Sequence, residues 1–321
     1  MDEMSPDSTL RDLGADSLDE LEVILELDQK LDMTLPDEIR QSCKPSEICA
    51  SLLKKDLSRN QQNVISMKEK LKNIFFKFWY WYLNFIDKNE DIIFMNYGYS
   101  KDNNKIELEE TDEKNRYSIQ LYHLVATGVN IKGKDILEVG CGRGGGLSYI
   151  NRYLSPNFVT GVDLNKKAIN FCNKKYSTDR IKFLQANAQK LNFQKDSFDA
   201  VINIESSHRY SRIDLFIDEV YRILKPGGFF LFADFGDNME IEKLKTQFVK
   251  SDLKIVRFEN ITDNVIEALK LATPDREELI REILPKFFQN LGRNFAALEG
   301  SSTYNSFLTK QFEYVFYVLK K

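Results

Sequence analysis

A chain of 321 residues, 42% hydrophobic and 29% charged, has room for one large domain and a small one and reads as globular. No apolar run is long enough to span a bilayer, and "MDEMSPDSTLRDLG" lacks the basic and apolar parts of a secretory signal, so a cytoplasmic location is expected. The net charge of −4 is unevenly divided: residues 1–60 carry 15 acidic and 7 basic side chains, a balance of −8, leaving +4 for 61–321. A mild basic excess without a clustered patch gives no nucleic-acid footprint. Cys43, Cys49, Cys141 and Cys172 show neither C-x-x-C nor zinc-type spacing, so neither a disulfide nor a metal is expected.

The first element follows Leu13-Gly14-Ala15-Asp16-Ser17-Leu18. Leu18, Leu21, Ile24, Leu25, Leu27 and Leu31 broadly keep helical spacing, and Asp16-Ser17 supplies N-terminal capping chemistry. Seven acidic residues accompany one lysine from Asp16 to Asp32, and Pro36 opens a further short segment. In this order of residues, the stretch from about Leu10 to Lys54 resembles acyl carrier proteins of the fatty-acid and polyketide type. The resemblance implies that Ser17 carries 4′-phosphopantetheine, with Asp19, Glu20, Glu22 and Glu26 facing partner enzymes. Those partners would be a phosphopantetheinyl transferase and synthase components. The long first helix of such a bundle has no counterpart upstream of Leu10, so 1–57 is expected to be a partial all-α carrier segment.

Residues 58–66, "SRNQQNVIS", are polar and form the expected linker. Next, Phe75, Phe76, Phe78, Trp79, Tyr80, Trp81, Tyr82 and Phe85 crowd a run too short to cross a bilayer. Burial against the main domain is one reading; a wall for a lipid-like substrate or shallow membrane contact are the others. We take 67–130 as an aromatic, helical lid, with Tyr97 and Tyr99 of "FMNYGYS" on a loop over a substrate pocket. His123, within "YSIQLYHLVATGV", is expected to be a structural helix residue.

"KDILEVGCGRGGGLSYI" reads as a strand, a glycine turn and a helix, which lets a ligand approach the backbone at a helix N-terminus. Gly140, Gly142 and Gly145 also satisfy G-x-G-x-x-G, so nicotinamide binding stays open at this point. After the turn, "NFVTGVDL", "IKFLQA", "FDAVINI" and "KPGGFFLFADF" alternate with helical stretches, the pattern of a doubly wound, mostly parallel α/β sheet. Asp163 ends the second strand, where a carboxylate can accept from ribose hydroxyls.

Glu138 before the first glycine, "SFDAVI" and "ILKPGGFFLFAD" together resemble class I S-adenosylmethionine-dependent methyltransferases, over about Asn96 to Lys321. That resemblance implies a Rossmann-like domain at 131–321. Glu138, Gly140, Gly142 and Gly144 would lie on the methionine side of S-adenosylmethionine, with Asp163 at the ribose, Leu164 against the adenine, and Asn203 also binding the cofactor. Asn187-Ala188 would lie at the adenine amine, where asparagine replaces the family's usual aspartate. "NIESSHRYSRIDLFIDEVYRILKPGGFFLFADF" and "FFQNLGRNFAALEGSSTY" are similar to the O-methyltransferases of phthiotriol and phenolphthiocerol lipids.

An alcohol acceptor must lose its proton, which calls for a base. His208 follows the fourth strand at the sheet's carboxyl edge, and Asp234 ends the fifth strand in the order that would let it orient the imidazole. We expect His208 as general base with Asp234 assisting, and Glu205 and Tyr210 shaping the acceptor pocket. A helical cap at about 236–310, carrying Phe287, Phe288, Phe295, Tyr304 and Phe307, would suit an extended acyl substrate; these aromatics equally suit an ordinary core. "QFEYVFYVL" closes the sheet. O-methylation of a polyketide or lipid hydroxyl, tethered or free, is the leading reading. Carbon methylation, or a free small-molecule enzyme with the acidic head as an interaction module, are the alternatives.

Overall fold

In a computed structural model, which describes residues 92–102, 105–284 and 286–321, the alternating pattern produces a seven-stranded sheet of order β3-β2-β1-β4-β5-β7-β6. The strands are β1 (Asp135–Val139), β2 (Phe158–Asp163), β3 (Ile181–Gln185), β4 (Phe198–Ile204), β5 (Leu224–Asp237), β6 (Lys254–Asn260) and β7 (Phe312–Lys320). Strands β1 to β5 run parallel; β7 is antiparallel to both β5 and β6. The chain divides into two units, Met1–Asn89 with Pro285–Phe288 and Glu90–Leu284 with Gln289–Lys321; the sheet belongs to the second. The expectations for Ser17, the linker at 58–66 and the aromatic run at 75–85 lie outside the described residues.

Both faces of the sheet's central strands are covered, so these alternate between two cores rather than between core and water. On one face Ile136, Ala200, Ile202, Ile204, Leu231, Ala233, Phe316 and Val318 pack with the helices α1 (Arg116–Ala126), α2 (Gly145–Tyr153) and α3 (Lys166–Tyr176). On the other face Leu137, Val139, Val201, Phe230, Phe232, Tyr317 and Leu319 meet α4 (Ile213–Ile223) and α5 (Asn238–Lys250). Phe230 and Phe232 are fully buried, worth roughly 1.5–3 kcal/mol each over an exposed ring. Asn165 caps α3 by accepting from the N–H groups of Lys167 and Ala168, and Asp237 with Glu240 forms a capping box on α5.

The segment 236–310 is not wholly helical. After α5 the chain adds β6 to the edge of the sheet, and only then come α6 (Thr262–Ile283), α7 (Lys286–Phe295) and α8 (Ser302–Leu308). The side chains of β6 are almost all exposed, so it carries none of the buried–exposed alternation that marks a strand in sequence. Tyr304 and Phe307 of α8 are buried in the sheet's core, while the side chains of Phe287 and Phe288 lie outside the description. Strand order reverses between β1 and β4, which opens a crevice at their carboxyl ends. Gly140 and Glu205 are the first residues beyond those two ends.

Candidate active site

The glycine turn is stapled to the end of β2. Gly140 and Cys141 donate from their backbones to the Val162 carbonyl at 2.8 and 3.0 Å, and Gly142 donates to Asp163 Oδ2 at 2.9 Å. Gly140, Gly142 and Gly144 have φ of 79°, 51° and 76°, the left-handed region that a Cβ disfavours. At Gly140 space forbids one too: a Cβ there would stand 2.1 Å from Ser206 Oγ and 3.0 Å from the Tyr210 hydroxyl.

Glu138 is fully buried and accepts from the Tyr122 hydroxyl at 2.7 Å through Oε1, while Oε2 has no partner. Burial pushes its carboxyl up to about 8; the Tyr122 bond opposes this and the Asp163 charge adds to it. Asn203, also fully buried, donates through Nδ2 to the Val139 carbonyl at 2.7 Å and Ser206 Oγ at 2.8 Å, leaving Oδ1 without a partner. Two buried oxygens without partners, Glu138 Oε2 and Asn203 Oδ1, suit a polar ligand seated against the glycine turn.

Asp163 accepts from Asn165 N at 2.8 Å as well as from Gly142, and both oxygens retain acceptor capacity for hydroxyls. Burial raises this carboxyl, offset in part by those two backbone bonds and by the Arg209 charge. Leu164 beside it is 63% exposed, an apolar face suited to a base. Asn187 spends part of its oxygen locally, accepting from Gln189 N at 2.9 Å; Ala188 next to it is buried.

The other half of the crevice lies between the ends of β4 and β5. Asp234, 2% exposed, accepts from His208 Nδ1 at 2.8 Å, His208 N at 3.0 Å, Ser207 Oγ at 2.5 Å and Phe235 N at 2.9 Å. Burial alone would raise its carboxyl, but the His208 imidazole and these bonds outweigh it and hold it below the ordinary range. An acid that takes four donors is an acceptor only, which puts a proton on Nδ1 and makes Nε2 the acceptor of the neutral ring. Consistently, Nε2 accepts from Arg209 Nε at 3.3 Å.

Glu205 adopts φ 46°, a rare conformation for a side chain with a Cβ, and turns the chain toward the short 3-10 turn Ser207–Arg209. Its Oε1 accepts from Tyr97 N at 2.7 Å and the Tyr314 hydroxyl at 2.9 Å. Burial pushes this carboxyl also up to about 8, against those two bonds and with the Asp234 charge adding to it. Arg276, from α6, donates to the carbonyls of Asn96 at 3.0 Å and Tyr97 at 3.3 Å, and so grips the same strap from behind. The Tyr97 ring packs on Phe235 and Phe307 at 5.0 and 5.5 Å between centroids, and Phe235 lies 4.8 Å from the His208 ring.

The sequence-based assignments thus separate into two groups. Glu138, Gly140, Gly142, Gly144, Asp163, Leu164 and Asn203 gather around the glycine turn, and His208, Asp234, Glu205 and Tyr97 around the acceptor end. Tyr210 departs from expectation: its hydroxyl meets Ser206 at 2.7 Å and Asn203 at 3.2 Å, behind Gly140 rather than beside Glu205. Tyr99 has its backbone tied to Tyr117 and Gln120, and its side chain packs against the core. Sequence reasoning missed Tyr122, Ser206, Ser207, Arg276 and Tyr314. Only the two serines, inside "ESSH", carried a local signal.

The family described as "Methyltransferase domain" matches residues 137–232, and that described as "Phosphopantetheine attachment site" matches residues 1–43, which include Ser17. A "Fatty-acid O-methyltransferase" of Mycolicibacterium smegmatis is 40% identical over 204 residues, 63% of this chain and 74% of that protein. A "Probable phthiotriol/phenolphthiotriol dimycocerosates methyltransferase 2" of Mycobacterium ulcerans is 36% identical over 226 residues, 70% of this chain and 88% of that protein. Among solved structures, the [4+2]-cyclase SpnF superimposes with a TM-score of 0.58 at 18% identity, over 74% of this chain and 90% of that one, which speaks for the fold alone. Among the described residues no helix is long and apolar enough to cross a membrane. Sheet, glycine turn and relatives agree: the chain belongs to the class I S-adenosylmethionine-dependent methyltransferases, and its head matches a phosphopantetheine attachment segment.

Proposed function

We propose that this methyltransferase transfers its methyl group to an oxygen, in the first place a hydroxyl, on a long apolar acceptor of polyketide or lipid type. The observation that carries the reading is the His208–Asp234 pair beside the glycine turn, framed by the rings of Tyr97, Phe235 and Phe307. When bound, S-adenosylmethionine supplies a methyl on cationic sulfur, to be taken in line by a nucleophile while the sulfur keeps the bonding pair. Glu138, Asn203 and the glycine-turn backbone would hold its methionine end, Asp163 its ribose, and Leu164 with Asn187-Ala188 its base.

The chain's own contribution is to aim the acceptor and handle its proton. Positioning the oxygen behind the methyl removes orientational freedom, the larger part of the gain. His208 Nε2 takes the hydroxyl proton, and Asp234 stabilises the resulting imidazolium and fixes its ring. The aromatic rings exclude water and give the acceptor's chain an apolar wall. The names of the relatives, one for a fatty acid and others for phthiotriol lipids, support a long-chain acceptor.

The second half of the proposal concerns delivery. Ser17 carries 4′-phosphopantetheine, so an acceptor bound to its thiol reaches the crevice at high local concentration. A phosphopantetheinyl transferase and polyketide or fatty-acid synthase components are the partners, in the cytoplasm. Intact-mass measurement after incubation with such a transferase tests the attachment directly: Ser17→Ala abolishes the added mass, and an unmodified parent chain would leave the head as an interaction module. For the chemistry, His208→Ala should lower kcat for a hydroxyl acceptor by roughly 100-fold or more, while S-adenosylhomocysteine affinity stays near the parent's. Unimpaired turnover of that variant would remove the base from the reading.

A further inference from the structure

We propose that the hydroxyls of Ser206 and Tyr210 bind the carboxylate at the methionine end of the cofactor, with Asn203 beside them to take the neighbouring ammonium. The inference rests on the cofactor of the family and is independent of the acceptor that is methylated.

The first observation is location. A Cβ at Gly140 would come 2.1 Å from Ser206 Oγ and 3.0 Å from the Tyr210 hydroxyl, so the bare glycine is what lets both oxygens lie against the turn. The Tyr210 ring is set nearly edge-on against Phe216 of α4, 4.9 Å between centroids, which fixes the direction of its hydroxyl. Ser206 and Tyr210 are half-buried, whereas Asn203, which touches both, is fully buried.

The second observation comes from counting protons. Asn203 Nδ2 donates to the Val139 carbonyl at 2.7 Å, to Ser206 Oγ at 2.8 Å and to the Tyr210 hydroxyl at 3.2 Å. The two hydroxyl oxygens lie 2.7 Å apart and bring two protons, one of which closes the bond between them. For the other the structure offers only the Val139 carbonyl, 3.4 Å from Ser206 Oγ and already held by Asn203 at the shorter distance. One hydroxyl proton is thus left for a ligand, and Asn203 Oδ1 next to it is a buried oxygen without a partner. A spare donor beside a spare acceptor matches the carboxylate and ammonium of an amino acid.

The turn's own backbone is poorly placed to do the same. The N–H groups of Gly140 and Cys141 go to the Val162 carbonyl, that of Gly142 to Asp163 and that of Gly144 to the Cys141 carbonyl. The hydroxyl pair supplies the donor that these do not, and a hydroxyl bond to an ionised carboxylate is among the stronger kinds.

Calorimetry on the full chain compares S-adenosylhomocysteine with its decarboxylated form, S-adenosyl-3-thiopropylamine, which keeps the ammonium. The parent should bind the complete ligand at least about tenfold more tightly, the weight of a charge-assisted hydrogen bond. Ser206→Ala and Tyr210→Phe each remove one hydroxyl but release the proton of the other, so each should keep the preference to within about fivefold. The double variant has no hydroxyl proton left, and its preference should fall roughly 10–100-fold while the decarboxylated ligand binds close to the parent's affinity. A pair that merely held the turn in shape would weaken both ligands alike, and that result overturns the assignment. So does an unchanged preference in the double variant, or equal binding of the two ligands by the parent. No acceptor is present in these titrations, so a failure here leaves the oxygen-methylation reading untouched.

Discussion

The two halves of the crevice are built in different ways. Around the glycine turn the backbone does much of the holding, with Gly140, Cys141 and Gly142 all bonding to Val162 or Asp163, and side chains such as Tyr122 and Asn203 add to it. At the acceptor end the holding is done by side chains from segments far apart in the chain. Glu205 joins Tyr97 to Tyr314, and Arg276 reaches back to Asn96 and Tyr97. A ligand common to a whole family can be served by a local backbone motif. An acceptor particular to one enzyme calls for side chains that vary, and these can be recruited from anywhere.

The sharpest way to break the cofactor half is to fill the space at Gly140. Gly140→Ala combines a disfavoured φ with a Cβ 2.1 Å from Ser206 Oγ, so S-adenosylhomocysteine affinity should fall by at least about 100-fold in calorimetry. If a closely folded variant binds nearly as well as the parent, the turn is not the seat of the ligand.

The acceptor half should respond to shape more than to charge. Glu205→Leu removes the acceptor of the Tyr97 N–H and the Tyr314 hydroxyl and should raise acceptor KM by roughly tenfold, with kcat less affected. Glu205→Gln keeps a carbonyl oxygen in place and should stay within about threefold of the parent. Should the two variants fail alike, a charged Glu205 would be required instead, against its carboxyl being held neutral.

The smallest effect, read on stability without ligand, concerns Glu138. Its carboxyl titrates at about 8 in the folded chain against the ordinary 4.5. Between these values the folded state holds the extra proton, so the contribution is full below the lower one and is lost as pH rises through the higher one. Glu138→Gln should flatten that slope, leaving the parent's Tm falling faster across the window by several degrees, at about 2–4 °C per kcal/mol. Parallel Tm curves would contradict a buried neutral carboxyl.

The same contrast explains what could be read in the sequence. The doubly wound order, the glycines, Glu138, Asp163 and the terminal strand follow from contiguous patterns, and His208 with Asp234 from their places at two strand ends. Tyr122 gave no signal because its role depends on α1 packing beside β1, and Arg276 looked like one more charged residue of a helix until burial made it a clamp. Tyr210 stands two residues from His208 in the chain, but the turn at Ser207–Arg209 sends the two side chains to different halves. Strand β6 stayed hidden because an edge strand with exposed side chains has no apolar rhythm.

Strand β7 has a consequence for how the molecule comes together. Inserted between β5 and β6, it pairs with β5 from Phe229↔Lys320 to Asp237↔Phe312, across the whole intervening stretch of helices and β6. Closing so long a loop is entropically slow, whereas β1, β2 and β3 zip up with near neighbours. Refolding should therefore protect the amides of the cofactor half first, leaving the aromatic wall as the late-forming region where kinetic traps arise; pulsed hydrogen exchange would show the two protection phases in that order, or a single phase if assembly is concerted.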